Sequence, residues 1–235
     1  MNRFDKPTRD FLLSYLREMI SEERWARFHE ILDHRTRYIT VVLEDIYQPH
    51  NASAVIRTCE LMGIQDLHII ENDNPYEINP DIVVGSNKWI NIFRHNSRKH
   101  NTLSCYTKLR KKGYRIVATS PHKDDCTLEE LPLDQKTALV FGNEGFGLSD
   151  IALKNADAFV KIPSSGFTES YNLSVSAAIC LYHLTGKLEK STTQWQLSAE
   201  EREVLQLDYC LKTVKNPKIV LKNLLDLKEK GRKQE

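Results

Sequence analysis

The chain has 235 residues, 40% of them hydrophobic, with 33 Lys and Arg against 32 Asp and Glu. That length can bury a full core, and the near-balanced charge excludes bulk electrostatics as the grip on a polyanion, so any nucleic-acid surface must come from local clustering. Cys59, Cys105, Cys126, Cys180 and Cys210 are odd in number and scattered without CxxC or Cys/His metal spacing, and no apolar run approaches the roughly 18 residues of a membrane span. With no apolar signal segment in MNRFDKPTRDF, the expectation is a cytoplasmic protein that uses neither disulfides nor a membrane.

Residues 6–33 carry Phe11, Leu12, Leu16, Trp25, Phe28 and Leu32 among many charges, the pattern of one or two amphipathic helices within an N-terminal extension over residues 1–36. Tyr38 to Leu43 is a β-branched strand that leads through a polar turn into a helix opening near Asn51 and stopped by Gly63. Leu67 to Ile70 is the next strand, so the body opens as a βαβ unit. Trp89 to Phe93 reads as a short strand, Leu103 to Lys112 as a helix, and Tyr114 to Ala118 as a strand ending at Thr119. This alternation predicts an α/β fold, a mostly parallel sheet with helices on both faces, over residues 37–190.

Thr137 to Leu184 is the stretch around which the rest is organised. The apolar run Ala138 to Phe141 enters a loop with Gly142, Gly145 and Gly147 around Glu144, and the run Ala158 to Ile162 ends at Pro163 before the polar loop SSGFTESYN. Two strand ends therefore aim two polar loops at one place. The helix after Asn172 has one apolar stripe of Leu173, Ala177, Cys180, Leu181 and Leu184 and a second of Val175, Ala178, Ile179 and Tyr182. The second stripe is covered either by a twin subunit or by the chain's own domain. A capping box at Ser198 to Glu201 opens the C-terminal extension over residues 191–235. Its last segment, Lys212 to Lys233, is locally basic, and Lys215, Lys218 and Lys222 are candidate phosphate contacts, a solvated helix being the alternative.

Composition alone does not name the chemistry, since GNEGFG lacks the Lys-Ser/Thr of a P-loop and the glycine order of a dinucleotide fingerprint. Three stretches together, however, resemble the SpoU/TrmH branch of the SPOUT RNA methyltransferases: PHNASAVIRT from Pro49 to Thr58, FGNEGFGLS from Phe141 to Ser149, and IPSSGFTESYNLSVSAA from Ile162 to Ala178. Gly85 to Trp89 is similar to a connecting segment of the tRNA-modifying members. The resemblance implies a C-terminal trefoil knot, a homodimer, and transfer of a methyl group from S-adenosyl-L-methionine to a ribose 2'-hydroxyl of structured RNA.

By the same resemblance Arg57 is the catalytic arginine, Asn51 holds the nucleotide or orients Arg57, and Glu144, Ser170 and Asn172 are the polar residues of the second and third motifs. For Asn51 and Asn172 a plain helix N-cap is the competing reading. Thr119, Gly142, Ile162, Tyr171 and Leu173 match the cofactor-binding positions, most of them acting through the backbone. Ser164 to Glu169 and Tyr171 depart from the Met-, Gln- and Leu-containing sequence usual there. The run TVVLEDIYQPHNASAVIRTCELMGI resembles enzymes acting on the D-loop guanosine at tRNA position 18. Alternatives are another tRNA position or rRNA, a non-catalytic RNA-binding module of the same fold, and an ordinary nucleotide-binding α/β protein. No metal is expected.

Overall fold

The computed structural model describes residues 4–120 and 126–232; Lys233 of the basic segment, and the first three residues of the N-terminal extension, lie outside them. The chain forms two compact units, Thr36–Trp195 and a unit made of Met1–Arg35 with Gln196–Glu235.

Seven strands are seen in the larger unit among the described residues: β1 Ile39–Glu44, β2 Asp66–Ile70, β3 Asn91–His95, β4 Arg115–Thr119, β5 Cys126–Thr127, β6 Thr137–Phe141 and β7 Ala158–Lys161. Their order is β3-β2-β1-β6-β4-β7-β5 and every ladder is parallel. The continuous apolar runs of β1 and β6 explain their central places, because a parallel strand covered on both faces has no side to leave polar; each is buried along its whole length.

Period-2 alternation then sorts the helices. Val41, Leu43 and Leu139 face α3 (Pro49–Leu61) and α7 (Leu173–Glu189), while Val42, Ile70 and Val140 face α5 (Thr102–Lys111) and α6 (Asp150–Lys154). Both faces are thus packed as the sequence predicts. Truncating a core residue such as Leu139, which has no exposed surface, to Ala should cost about 2–5 kcal/mol.

Two short elements were not foreseen, namely α4 (Pro80–Val83) and β5, while the helix after the glycine loop is the short α6. The strand expected at Trp89 begins instead at Asn91, because Ser86–Lys88 form a 3-10 turn that Trp89 terminates. On the α5 face His68 Nδ1 and His95 Nε2 lie 3.0 Å apart, with Cys105 beside them and the three ligand atoms within 4.8 Å of one another. The sequence shows no metal spacing because these residues come from β2, β3 and α5. Burial pushes His68 down to about 3 and His95 to about 4, and pushes the Cys105 thiol up to about 12.

The smaller unit packs α1 (Lys6–Glu18) and α2 (Glu22–His34) with α8 (Ala199–Thr213) and α9 (Pro217–Arg232). Leu12, Leu16, Phe28 and Leu32 bury the expected amphipathic faces, Phe28 meeting Tyr209 edge-on at 5.7 Å. Ser198 and Glu201 form the expected capping box of α8. Lys215, Lys218 and Lys222 are exposed, and no hydrogen bond or ion pair engages their side chains among the described residues.

Candidate active site

The site begins where β1 runs out of apolar residues. Glu44 is buried at the strand end and accepts hydrogen bonds from Thr102 Oγ1 at 2.5 Å, Ser149 N at 2.9 Å and Ser149 Oγ at 2.8 Å. Asp45 follows with a φ of 55°, and one of its carboxylate oxygens accepts the backbone N–H groups of Asn72, Asp73 and Asn74 at 2.8–3.0 Å. Two adjacent carboxylates therefore tie down the glycine loop on one side and the loop after β2 on the other.

The glycine loop is closed by reciprocal backbone bonds between Asn143 and Gly147, both 2.9 Å. Gly142 must lack a side chain, since a Cβ there would collide with the backbone of Gly147 and Leu148; Gly147 supplies the positive φ of 70°. Asn143 Nδ2 donates to the Asp45 carbonyl at 2.9 Å, and Asn143 Oδ1 accepts from Gly145 N at 2.8 Å. So held, the loop presents Glu144 to the start of α3, where it accepts from Tyr47 N at 3.1 Å, Gln48 N at 3.4 Å and Asn51 Nδ2 at 2.8 Å. A carboxylate at a helix N-terminus is favoured by the free N–H groups and the helix dipole.

Asn51 is not an N-cap. The cap position is Gln48 and α3 starts at Pro49, which puts Asn51 inside the first turn with 2% of its surface exposed. Its amide donates to Glu144 and, at 3.1 Å, to Gln48 Oε1, while its Oδ1 accepts from Asn172 Nδ2 at 3.2 Å. Asn172 is an N-cap and more: Oδ1 takes Ser174 N at 2.9 Å to start α7, leaving Nδ2 for Asn51. One polar chain, Glu144 to Asn51 to Asn172, joins the three motifs.

Arg57 and Ser170 are not in that chain. Arg57 is exposed on α3, and neither it nor Ser170 has a side-chain partner among the described residues. An exposed guanidinium without a protein partner is free to take a phosphate.

Thr119, Gly142 and Ile162 lie at or just beyond the C-terminal ends of β4, β6 and β7, which neighbour one another in the sheet. Thr119 Oγ1 donates to the Val140 carbonyl at 2.9 Å; Tyr171 Oη reaches the Pro163 carbonyl at 3.2 Å; Leu173, 8% exposed, begins α7. Carboxyl ends of parallel strands are where α/β sheets take ligands. These residues suit a nucleoside-containing cofactor held by main-chain groups. Sequence reasoning missed Glu44, Asp45, Thr102 and Asn143, whose signal is slight: two acids directly after an apolar strand.

Residues 38–182 match the SpoU rRNA Methylase family. A tRNA (guanosine(18)-2'-O)-methyltransferase of Borreliella burgdorferi is 42% identical over 214 residues, 91% of this chain and 96% of that protein. Among solved structures, the A. aeolicus TrmH/SpoU tRNA modifying enzyme is 29% identical with a TM-score of 0.72, covering 83% of this chain and 98% of that one. The SpoU methyltransferase AviRb from Streptomyces viridochromogenes, in complex with AdoMet, is 21% identical with a TM-score of 0.55, covering 69% of this chain and 62% of its own, a likeness of fold.

Proposed function

This chain belongs to the SpoU rRNA methylase family, and from that premise we propose that it transfers the methyl group of S-adenosyl-L-methionine to the ribose 2'-hydroxyl of tRNA guanosine 18. The observation that carries the reading is the hydrogen-bonded chain from Glu144 through Asn51 to Asn172, which joins one polar residue from each of the three motifs.

Bound S-adenosylmethionine supplies a methyl on a cationic sulfur. The 2'-hydroxyl is a weak nucleophile, so the protein's task is to align it and relieve it of its proton. Arg57 would hold an RNA phosphate beside that hydroxyl, and the phosphate or solvent would take its proton. Asn51, braced on both sides, would orient the ribose without moving itself, and Ser170, whose hydroxyl has no protein partner among the described residues, would contact it. Thr119, Gly142, Ile162, Tyr171 and Leu173 would hold the cofactor.

The second stripe of α7 supports a homodimer. Val175 is 44% and Tyr182 75% exposed within the chain, and Leu61 on the neighbouring α3 is 70% exposed, whereas Ala178 and Ile179 are half-buried and Ile179 packs on the core, so the chain's own domain covers this face only in part. Lys215, Lys218 and Lys222 are proposed to meet tRNA phosphates, with residues 1–36 and 191–235 as extensions to a methyltransferase body at 37–190. The knot is proposed at the C-terminal part of the sheet, where β6, β4 and β7 are neighbours. No helix among the described residues is long and apolar enough to cross a membrane, in keeping with a cytoplasmic place of work.

Labelled methyl transfer from S-adenosylmethionine to a tRNA transcript tests the reading. Incorporation should map to the 2'-oxygen of guanosine 18 and vanish from a transcript whose position 18 carries a 2'-deoxyribose. Transfer to rRNA alone, or to a different tRNA position, would overturn it.

A further inference from the structure

A cleft of about 940 Å³ opens between the loop after β1, the loop after β2 and the glycine loop. None of the positions matched to the cofactor lines it, and it meets the Asn51 network only through Gln48 and Glu144. Two aromatic rings stand in it. Phe146, at the tip of the hydrogen-bonded glycine loop, is 94% exposed and Tyr47 is 70% exposed, so neither ring is used to build the core. Large rings held in water beside a nucleic-acid site are stacking platforms for an unpaired base.

The charges of the cleft say which base. Five carboxylates line it, Glu44, Asp45, Asp73, Glu144 and Asp150, against one histidine, His100, and no lysine or arginine. Phosphate is therefore an unsuitable occupant. Glu44, Asp45 and Glu144 each accept three or more hydrogen bonds from the protein, whereas the exposed carboxylates of Asp73 and Asp150 accept none among the described residues. What remains is a cleft lined by two open acceptors and two exposed aromatic rings, suited to a flat ligand with adjacent donors. Guanine alone among the four bases offers two neighbouring donors on its Watson–Crick edge, N1–H and N2–H, to a carboxylate, which accepts only. Adenine presents an acceptor at N1, and uracil flanks its single N–H with carbonyls.

We infer that this cleft receives the guanine of the target nucleotide, stacked against Tyr47 and Phe146 and selected at its N1–H and N2–H edge by the open carboxylates of Asp73 and Asp150. The inference rests on the proposed methylation of a guanosine and adds where the base sits and what chooses it.

The test compares tRNA transcripts carrying guanosine or inosine at position 18, inosine lacking only the 2-amino group. Wild type should prefer guanosine by at least about tenfold in kcat/KM, the rejection expected of a site built to bond the missing donor. The double variant Asp73→Asn with Asp150→Asn should lose that preference to within about threefold by slowing on guanosine, and the single variants identify the closer carboxylate. Phe146→Ala should raise the KM for both transcripts alike and leave the preference intact. A double variant that keeps the tenfold preference overturns the inference while the methyltransferase reading stands, as does one that instead raises the KM for S-adenosylmethionine. A wild type inactive on both transcripts overturns the functional reading and this inference with it.

Discussion

The hydrogen bond between Asn51 and Glu144 can be weighed by a double-mutant cycle. Asn51 is buried and both ends of its amide are engaged, at 2.8 Å to Glu144, 3.1 Å to Gln48 and 3.2 Å from Asn172. A hydrogen bond to a charged acceptor is worth about 1.5–3 kcal/mol and one between neutral groups about 0.5–1.5 kcal/mol. Gln48 and Asn172 can turn to water once released, so Asn51→Ala should cost about 2–4 kcal/mol rather than the full sum. Glu144→Ala should cost less, about 1–2 kcal/mol, because the N–H groups of Tyr47 and Gln48 are exposed and water can replace the carboxylate. Since the two changes delete one shared bond, the double variant should fall short of additivity by about 1 kcal/mol or more. Urea unfolding of the four proteins at one protein concentration measures this. The same cycle run on methyl transfer should show the double variant no slower than the worse single variant, the mark of residues acting as a unit. Additivity within about 0.3 kcal/mol in unfolding would refute the shared bond, and additive rate losses would refute its joint role.

Arg57→Ala should leave S-adenosylmethionine affinity intact and nearly abolish transfer; a variant retaining more than about a tenth of the wild-type rate, a loss below about 1.4 kcal/mol, would remove Arg57 from catalysis. Tyr182→Glu should yield monomers or insoluble protein, and sedimentation showing a wild-type monomer at micromolar concentration would end the dimer proposal. Replacing Lys215, Lys218 and Lys222 together by Ala should flatten the dependence of log tRNA affinity on log salt by up to about 2–3 units, and an unchanged slope would retire the tail as an RNA contact. Acid should weaken the fold through the buried imidazole pair. Burial holds His68 near 3 and His95 near 4 against an ordinary 6.5, so between pH 6.5 and about 4 the unfolded chain binds protons that the folded chain refuses. Stability is then full above pH 6.5 and falls as pH drops, by up to about 1.4 kcal/mol per unit for each histidine. Urea midpoints at pH 7 and pH 5 should separate in wild type and draw together when both histidines are replaced by Gln; an equal separation in that variant would place the acid sensitivity elsewhere.

Much of this fold is written locally. The apolar runs of β1 and β6 announce strands covered on both faces, the Ser198–Glu201 box announces α8, and the helix stripe from Leu173 to Leu184 announces a buried face, because each depends on neighbours within a turn or two. The resemblance carried by the three motifs likewise pointed to Asn51, Glu144 and Asn172. Their joining did not lie in the sequence. Asn51 looks like a cap until the helix is seen to start two residues earlier at Pro49, which turns an exposed capping amide into a buried brace between Glu144 and Asn172. Glu44 and Asp45 look like the polar end of a strand, yet one is a buried anchor for the glycine loop and the other collects three backbone N–H groups. Histidines on two strands and a cysteine on a helix form one buried cluster. In the cleft, Asp73 and Asp150 are exposed and accept no hydrogen bond among the described residues, whereas Glu44, Asp45 and Glu144 each accept three. The physical reason is the same each time: a polar side chain's role is set by which donors and acceptors reach it, and in a parallel sheet with crossover connections those partners arrive from segments tens to more than a hundred positions away along the chain.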